Sequence, residues 1–319
     1  MSSFQSTKRV IDAALEIPIV PGWTNVGYRI RRNLWGWSDP APGSMSGTWA
    51  LVTGGTSGIG RAGAEGLARA GAGVVITGRD PERAEASARE IGQATGAEVI
   101  GLGADLSHLD QTAGLAKELI GRLDHLDVVV HNAGAMFAEY KAHEGIERTQ
   151  VLHVLSPFLL TRRLSPLIPN STRSRVVFMS SGGMYSHRLD VARLRAGPSV
   201  YRGATAYSRA KRAQVALAHR FAERLPGRAV HAMHPGWVDT PALHDSLPRF
   251  ERTLRPLLRR PEEGADTLIW LCTAAAAGTT TGLFWLDRRP RREAMVVGAG
   301  STAQEEALWE WCEGVTSAY

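Results

Sequence analysis

The feature that most constrains the fold is a glycine-rich turn between a short apolar run and a helix-forming segment. The apolar run covers residues 49–52, and the turn at 53–60 reads TGGTSGIG. A strand, a glycine turn and a helix in this order form the first unit of a dinucleotide-binding sheet. The glycines let the backbone approach a pyrophosphate, and the helix N-terminus offers it free N–H groups. A methyltransferase or a simple nucleotide-binding module could share such a turn.

The rest of the chain repeats this alternation of short apolar runs and longer helical segments. Strands of four to six residues that alternate with helices of ten or more are typical of a parallel sheet covered on both faces. The sequence therefore predicts an α/β fold, a Rossmann-type doubly wound parallel sheet with helices on both faces. The predicted strands lie near 49–52, 74–77, 99–104, 126–130, 176–179 and 229–233, and the predicted helices near 60–71, 81–94, 110–122, 145–165 and 206–224.

A stretch rich in proline and glycine at 38–44 separates an N-terminal arm from the α/β region. We predict an N-terminal arm and linker at 1–46 and a single domain at 47–319. The arm mixes apolar residues with tryptophans and arginines, a composition also found in segments that touch a membrane surface. We favour an arm packed on the domain, and weak membrane-surface contact through 8–37 is the alternative.

Composition argues against several other classes of protein. The net charge is +6, but the arginine pairs are scattered, so we expect no nucleic-acid surface. The two cysteines, Cys272 and Cys312, have no metal-ligand spacing, and they predict neither a metal site nor a disulfide framework. No apolar run reaches the roughly 18 residues of a membrane span, and the N-terminus does not resemble a signal peptide. We therefore expect a cytoplasmic protein.

The residues after the second predicted strand bear on the choice of cofactor. A carboxylate there would accept hydrogen bonds from the ribose 2′-OH of NAD, whereas an arginine suits the 2′-phosphate of NADP. Gly78 occupies the acidic position and Arg79 follows it. The pattern favours NADP(H), with NAD(H) as the alternative. Asp80 is expected to cap the helix that begins at Pro81.

Two residues after the third predicted strand have two interpretations. Asp105 could hold the amino group of an adenine, with Leu106 beside the ring. Alternatively, Asp105 is a simple N-cap of the following helix. The sequence around them leaves both open.

Tyr207 and Lys211 are four residues apart on a predicted helix and therefore share a helix face. An ammonium near a phenol favours the phenolate and lowers the pKa of the tyrosine. Such a tyrosine can act as general acid when a carbonyl is reduced and as base in the reverse reaction. Ser181, at the end of the fifth predicted strand, could donate a hydrogen bond to the substrate oxygen. Ser180 is the competing choice.

With these residues in place, the chain resembles a short-chain dehydrogenase/reductase. The matching motifs come in family order across about residues 48–240, and segments 180–184, 233–237 and 264–267 are similar to the subgroup called dehydrogenase/reductase member 12, near the retinol-dehydrogenase-like enzymes. The resemblance implies about seven strands, the seventh at 281–286, and a homodimer or homotetramer. It also implies a substrate pocket formed by 182–205 and 237–260.

The resemblance also assigns residues to roles. Ser181, Tyr207 and Lys211 would be catalytic, and no metal is implied. The family has a fourth catalytic residue, an asparagine, where this chain has His153, which could sustain a proton relay through water or be structural. The implied cofactor-binding residues are Gly54, Thr56, Ser57, Gly58, Ile59, Gly60, Arg79, Asp105, Leu106, Asn132, Ala133, Gly134, Tyr207, Lys211, Pro235, Gly236, Val238 and Thr240.

The sequence therefore predicts an NADP(H)-dependent oxidoreductase that transfers a hydride between nicotinamide and a carbonyl or alcohol substrate. The resemblance implies that this small molecule is hydrophobic. The alternative is a scaffold or redox sensor of the same fold that binds NADP(H) with little turnover, and His153 motivates it. The intact set of Ser181, Tyr207 and Lys211 favours the enzyme.

Overall fold

The computed structural model describes residues 3–16, 19–246, 248–295 and 298–319. The N-terminal arm is helical, and the domain begins with alternating strands and helices. The elements up to the middle of the sheet are α1 (Ser3–Glu16), α2 (Ile19–Trp23), α3 (Asn25–Trp35), β1 (Trp49–Val52), α4 (Gly58–Arg69), β2 (Gly73–Gly78), α5 (Pro81–Thr95), β3 (Val99–Gly103), α6 (Leu109–Arg122) and β4 (Val128–His131).

The second half of the domain continues the alternation and adds a small hairpin and several short helices. Its elements are β5 (Ala142–His143), β6 (Ile146–Glu147), α7 (Arg148–Gln150), a π-helical turn (Val151–Leu155), α8 (Ser156–Leu164), β7 (Arg175–Met179), α9 (Val191–Leu194), α10 (Gly203–Arg224), β8 (Ala229–Met233), α11 (Pro241–Ser246), α12 (Pro248–Leu254), α13 (Pro261–Thr273), α14 (Ala275–Gly278), β9 (Leu283–Leu286), β10 (Arg289–Pro290) and α15 (Thr302–Thr316).

Eight strands form one sheet in the order β3-β2-β1-β4-β7-β8-β9-β10. All neighbouring pairs run parallel except β9 and β10, which are antiparallel. The chain builds outward from β1 in one direction and then crosses to β4 on the other side, which opens a crevice at the carboxyl ends of the strands. The predicted doubly wound sheet is confirmed, and β10 is an eighth strand beyond the seven expected.

The central strands are apolar because helices cover both faces of the sheet. Residues 128–130 of β4 are three valines with no exposed surface, and every residue of β7 and β8 is buried. A strand buried on both faces has no polar side to show in its sequence, so it reads as a continuous apolar run. This burial fixes the strand ends, and with them the loops that carry the predicted site.

Two helix boundaries follow from local chemistry. The Asp80 carboxylate accepts a hydrogen bond from the Arg83 N–H at 3.2 Å, and Pro81 begins α5, as predicted. The single helix predicted near 145–165 is wrong in detail, because a π-helical turn at Val151–Leu155 separates α7 from α8. The Ser156 N–H reaches back to the Val151 carbonyl, one residue farther than in an α-helix. Such widened turns occur frequently at functional sites.

The N-terminal arm is fixed to the domain by buried ion pairs. Arg31, on α3, has no exposed surface, and it donates to Asp12 and to Asp287 at 2.7 Å each. Arg259 binds the other side of the Asp287 carboxylate at 2.6 Å. The arm also turns Tyr28 toward the domain, where only 3% of its surface is exposed. No helix within the described ranges is long and apolar enough to cross a membrane.

Candidate active site

The glycine turn closes tightly on the start of α4. Gly54 has a φ of +67°, in the left-handed region, and a Cβ there would lie 2.9 Å from the Cα of Ala133. Ser57 precedes α4 but makes no side-chain capping bond. The first N–H groups of α4 therefore keep their capacity to donate to phosphate oxygens. This cradle fits the pyrophosphate of a dinucleotide, and it holds the predicted residues Thr56, Ser57, Gly58, Ile59 and Gly60 together.

Asn132 and Thr53 join the turn to the end of β4. The Asn132 side-chain amide donates to the Thr53 carbonyl at 2.9 Å and to the Gly54 carbonyl at 3.3 Å. The Thr53 hydroxyl oxygen in turn accepts the N–H groups of Asn132 and Ala133, each at 3.0 Å. Sequence reasoning included Asn132 and Ala133 but missed Thr53, although its place between strand and glycine turn is the signal that could have found it.

Arg79 lies at the carboxyl end of β2, beside the glycine turn. A Cβ on Gly78 would meet the Thr56 methyl at 2.7 Å, so the loops after β1 and β2 touch. Arg79 itself is exposed. The neighbouring Asp80 uses its carboxylate to cap α5. Arg79 is therefore the first charged side chain after β2 that remains available to a ligand at this edge.

Asp105 and Leu106 follow β3, and their side chains lie in different environments. The Asp105 carboxylate accepts the N–H and the hydroxyl of Ser107 at 2.9 and 2.8 Å, and the N-cap position of α6 is occupied by His108, which makes no side-chain capping bond. The simple N-cap interpretation of Asp105 is therefore wrong. Leu106 is 4% exposed and packs in the core below the sheet edge. Its side chain does not stand free for a ring, so only its backbone can face a ligand.

Three predicted catalytic side chains converge at the carboxyl end of β7. Ser181 begins a tight turn in which its Oγ accepts the Gly183 N–H at 3.3 Å. The Tyr207 side chain, on α10, lies near that of Ser181. Lys211 follows one turn later, and its Nζ lies 5.5 Å from the centre of the Tyr207 ring. Ser180 is different, because it is buried and donates its hydroxyl to the Lys211 carbonyl at 2.7 Å.

The electrostatics of this group correct one expectation. Burial raises the pKa of Tyr207, the nearby Ser181 hydroxyl opposes this only in part, and Lys211 makes no contribution that lowers it. The reason is that Lys211 Nζ donates to the Met179 carbonyl at 2.6 Å and to the Gln214 amide oxygen at 3.0 Å. Burial also lowers the pKa of Lys211 to about 7. Tyr207 thus stays protonated at neutral pH, as a general acid must be.

Gln214 was missed by the sequence reasoning. It has no exposed surface and orients the Lys211 ammonium. Its position three residues after Lys211 puts it on the same helix face, a signal that was available from the spacing.

His153 lies in the π-helical turn against the catalytic tyrosine. Its ring is fully buried and stands perpendicular to the Tyr207 ring, with 5.2 Å between centres. Burial and the charge of Lys211 hold the pKa of His153 well below its ordinary value. Nε2 donates to the Ala135 carbonyl at 2.8 Å, the shorter of its two contacts with that backbone. The neutral ring then leaves Nδ1 as an acceptor, with no partner among the described residues.

The segment after β8 contacts the glycine turn at the start of α4. A Cβ on Gly58 would lie 3.3 Å from the Thr240 methyl, so these two predicted residues are neighbours. Pro235 has its carbonyl bound by Arg259 at 3.1 Å, and Gly236 has a φ of +80°. Val238 is 5% exposed and packs inward. The predicted nicotinamide-end residues therefore line one continuous strand-end region, and sequence reasoning missed the arginine behind them.

The predicted pocket segments flank this group. Within 182–205, Tyr185 donates its hydroxyl to the Arg292 carbonyl at 2.7 Å, and Tyr201 donates to the Phe137 carbonyl at 3.1 Å. The second segment, 237–260, forms α11 and α12, and residue 247 within it lies outside the described residues. The same holds for residues 1, 2, 17 and 18 of the predicted arm and for 296 and 297 of the predicted domain.

Comparisons with known proteins agree with this geometry. Residues 48–249 match the family model for short chain dehydrogenases. Dehydrogenase/reductase SDR family member 12 of Bos taurus is 36% identical over 268 residues, which cover 82% of this chain and 84% of the relative. Retinol dehydrogenase 11 of Mus musculus is 31% identical over 267 residues, or 78% of this chain and 83% of the relative. The predicted likeness to these two groups is confirmed.

A solved structure shows the same fold. A Beutenbergia cavernae protein, assigned as an NAD(P)-dependent gluconate 5-dehydrogenase and crystallised with NADP at low occupancy, superposes with a TM-score of 0.63. It is 28% identical, and the match covers 76% of this chain and 96% of that chain. The chain therefore belongs to the short-chain dehydrogenase/reductase family and is an NAD(P)-dependent oxidoreductase that acts on alcohol or carbonyl groups.

Proposed function

We propose that this protein is an NADP(H)-dependent oxidoreductase that interconverts a hydrophobic carbonyl compound and its alcohol. The observation that carries the proposal is the convergence of Ser181, Tyr207 and Lys211 beside the glycine turn, with a tyrosine that keeps its proton at neutral pH. The likeness to a retinol dehydrogenase supports an apolar substrate. A protonated phenol next to a hydroxyl is suited to carbonyl reduction, and the reverse reaction would need the phenolate.

Each residue of the site has its own role in cofactor binding or catalysis. NADPH, when bound, supplies the hydride. The N–H groups at the start of α4 would hold its pyrophosphate, Arg79 its 2′-phosphate, and Lys211 its nicotinamide ribose. Tyr207 gives its phenolic proton to the substrate oxygen, to which Ser181 donates a hydrogen bond as negative charge develops.

The proposal is tested by measuring NADPH oxidation with a panel of aldehydes and ketones. The panel should include retinal, aryl ketones and short aliphatic carbonyls. We expect turnover with at least one apolar member and weaker turnover with the short polar ones. Calorimetric binding of NADPH without turnover across the panel would contradict the enzyme and favour a scaffold or redox sensor.

Replacing Arg79 by alanine should weaken the preference for NADPH over NADH. A hydrogen bond to a charged group contributes about 1.5 to 3 kcal/mol, so KM for NADPH should rise about 10- to 100-fold. KM for NADH should change little, since NADH lacks the 2′-phosphate. Arg83→Ala, which removes an exposed arginine from the first turn of α5, is the matched control. Equal changes for both cofactors would contradict the assignment.

The pH dependence of carbonyl reduction should follow the protonation state of Lys211. A lysine is charged below its pKa, and burial lowers the pKa of Lys211 to about 7. The ammonium that would donate to the nicotinamide ribose is thus present below about pH 7 and lost above it. We expect kcat/KM for NADPH to fall as pH rises through this value, and Lys211→Met should abolish the inflection at a lower overall rate. Lys117→Met removes an exposed lysine and should keep the inflection. A wild-type profile that is flat across this range would oppose the assignment.

The scaffold or sensor remains the second candidate because of His153, a fully buried histidine packed against Tyr207. If His153 serves a proton relay through a water at Nδ1, His153→Asn should keep turnover within about tenfold of wild type, since an amide can also bond water. His153→Leu should lose roughly 100-fold, the lower end of a general acid–base contribution. Equal kcat for the leucine and asparagine variants would remove His153 from the mechanism.

Three expectations remain predictions from the sequence. They are the homodimer or homotetramer, the weak membrane-surface contact of the arm, and the cytoplasmic location. The structure adds that the arm residues Trp23 and Tyr28 are 7% and 3% exposed, while Val10 and Val26 are exposed. Any surface contact would therefore involve aliphatic side chains of the arm rather than these two aromatic residues.

A further inference from the structure

Trp23, the last residue of α2, lies over the carboxyl ends of β7 and β8. Its ring stacks on Tyr185 with 5.6 Å between centres, and it meets His234 and Trp237 edge-on at 4.9 and 5.8 Å. The Trp23 carbonyl accepts the Trp237 N–H at 2.8 Å. A Cβ on Gly182 would overlap the indole ring. An aromatic residue from the N-terminal arm thus lies directly against the residue that follows Ser181 in the chain.

Two buried arginines hold Trp23 in this position by binding its neighbours in the chain. Arg31 donates to the Gly22 carbonyl at 2.7 Å, and Arg259 donates to the Thr24 carbonyl at 3.2 Å. The same Arg259 guanidinium also binds the Pro235 carbonyl at 3.1 Å. The backbone on each side of Trp23 is therefore tied to the strand-end region. Such a fixed side chain can exclude a substrate group without first having to be ordered.

The side chains that meet the Trp23 ring are aromatic. Burial holds the pKa of His234 at about 3, so this neighbour is neutral. Phe284 lies behind it, stacked on the His234 ring with 5.7 Å between centres. Ligands of open α/β sheets bind just outside these strand ends. An apolar, aromatic wall there favours a flat apolar group, which can stack on or meet the rings edge-on.

We propose that Trp23 is a specificity-determining residue whose indole ring forms the wall of the substrate pocket beside Ser181 and limits the size of the flat, apolar ring system that a carbonyl substrate carries. The inference rests on the proposed oxidoreductase function and adds to it a substrate class, aryl ketones and aryl aldehydes. It also gives the N-terminal arm a part in substrate recognition. A tryptophan that served only the core would affect all substrates alike, whereas a pocket wall changes their ratio.

The test uses the full-length protein with NADPH and two probe ketones, acetophenone with one ring and 2-acetonaphthalene with two. We expect Trp23→Ala to raise the ratio of kcat/KM for the two-ring ketone over the one-ring ketone by about tenfold or more, in the range that pocket size gives. Trp23→Phe should give an intermediate ratio. The matched control is Trp35→Ala, because Trp35 is on the same arm but packs under Arg289, 4.4 Å from its ring. Its ratio should equal that of wild type.

An unchanged ratio in Trp23→Ala, or the same change in Trp35→Ala, would overturn the inference. If Trp23→Ala does not fold, the ratio in Trp23→Phe decides by the same criterion. If the wild type binds NADPH but reduces neither ketone, the wider panel of aldehydes and ketones decides the oxidoreductase proposal by itself. In that case calorimetry measures the affinities of the two ketones for the NADP⁺-loaded protein, and the ratio of these affinities replaces the ratio of kcat/KM. A shift of this ratio in the Trp23 variants supports Trp23 as the pocket wall. An unchanged ratio, or no ketone binding to wild type, overturns the inference.

Discussion

Tyr207→Phe should lower kcat for carbonyl reduction by about 100- to 10,000-fold, the usual contribution of a positioned general acid. The substitution removes only the hydroxyl, so the ring keeps its perpendicular contact with His153. Because no hydrogen bond joins Tyr207 to the glycine turn within the described residues, the affinity for NADPH should stay within about twofold of wild type. Steady-state kinetics with NADPH and calorimetry on the same preparation measure the two effects.

Tyr201→Phe is the matched control for this prediction. Tyr201 also carries a half-buried hydroxyl, which donates to the Phe137 carbonyl at 3.1 Å and meets the Thr149 hydroxyl at the same distance. Losing it should cost a neutral hydrogen bond but not a proton donor. Unchanged turnover in Tyr207→Phe, or an equal loss in both variants, would show that the phenol of Tyr207 is not the acid.

Asp287→Ala should destabilise the protein by about 3 to 5 kcal/mol, because it leaves buried charges unpaired. Asp287 has no exposed surface and receives hydrogen bonds from Arg31 at 2.7 Å and from Arg259 at 2.6 and 2.9 Å. Without the carboxylate, both guanidinium groups would lose their shared counter-ion in the interior. Equilibrium unfolding in urea measures the change through the midpoint, with the slope as a check on two-state behaviour.

Asp39→Ala is the control for this effect, since it breaks an aspartate–arginine pair at the surface. Asp39 is 77% exposed and lies 3.7 Å from Arg32, so its loss should change the free energy of unfolding by less than about 1 kcal/mol. Similar losses in the two variants would mean that the buried cluster contributes no more than an exposed ion pair.

The same carboxylate gives the stability a defined dependence on pH. Burial would raise the pKa of Asp287, but the charges and hydrogen bonds of Arg259 and Arg31 outweigh it and lower the pKa below its ordinary value of 3.8. A group with a depressed folded-state pKa stabilises the fold fully above the unfolded pKa and loses this effect as pH falls through the folded pKa. The difference between wild type and Asp287→Ala should therefore shrink only in acid, below about pH 4.

The sequence predicted well what depends on local pattern. Each predicted strand lies within a few residues of an observed one, because buried parallel strands are continuous apolar runs. Asp80 before Pro81 marked the start of α5 by capping chemistry alone. The Tyr207–Lys211 spacing likewise placed both side chains on one face of α10, where they meet the end of β7.

The features that sequence reasoning missed depend on contacts between distant parts of the chain. Arg31 and Asp287 are 256 residues apart, and the sequence around each of them gives no indication of the ion pair. The spacing predicts that Lys211 lowers the pKa of Tyr207, but the ammonium of this lysine donates to the carbonyl of Met179, at the end of β7. Spacing on a helix gives the face of a side chain and not the direction in which its last atoms point.

The ion pairs between the arm and Asp287 also bear on the order in which the chain can fold. Domains form during synthesis from the N-terminal side. The arm emerges first, but its carboxylate partner follows β9, near the end of the chain. The arm can therefore reach its native position only after Asp287 has been made, when nearly the whole chain is available. The side of the cleft that Trp23 forms is then among the last parts of the site to be completed.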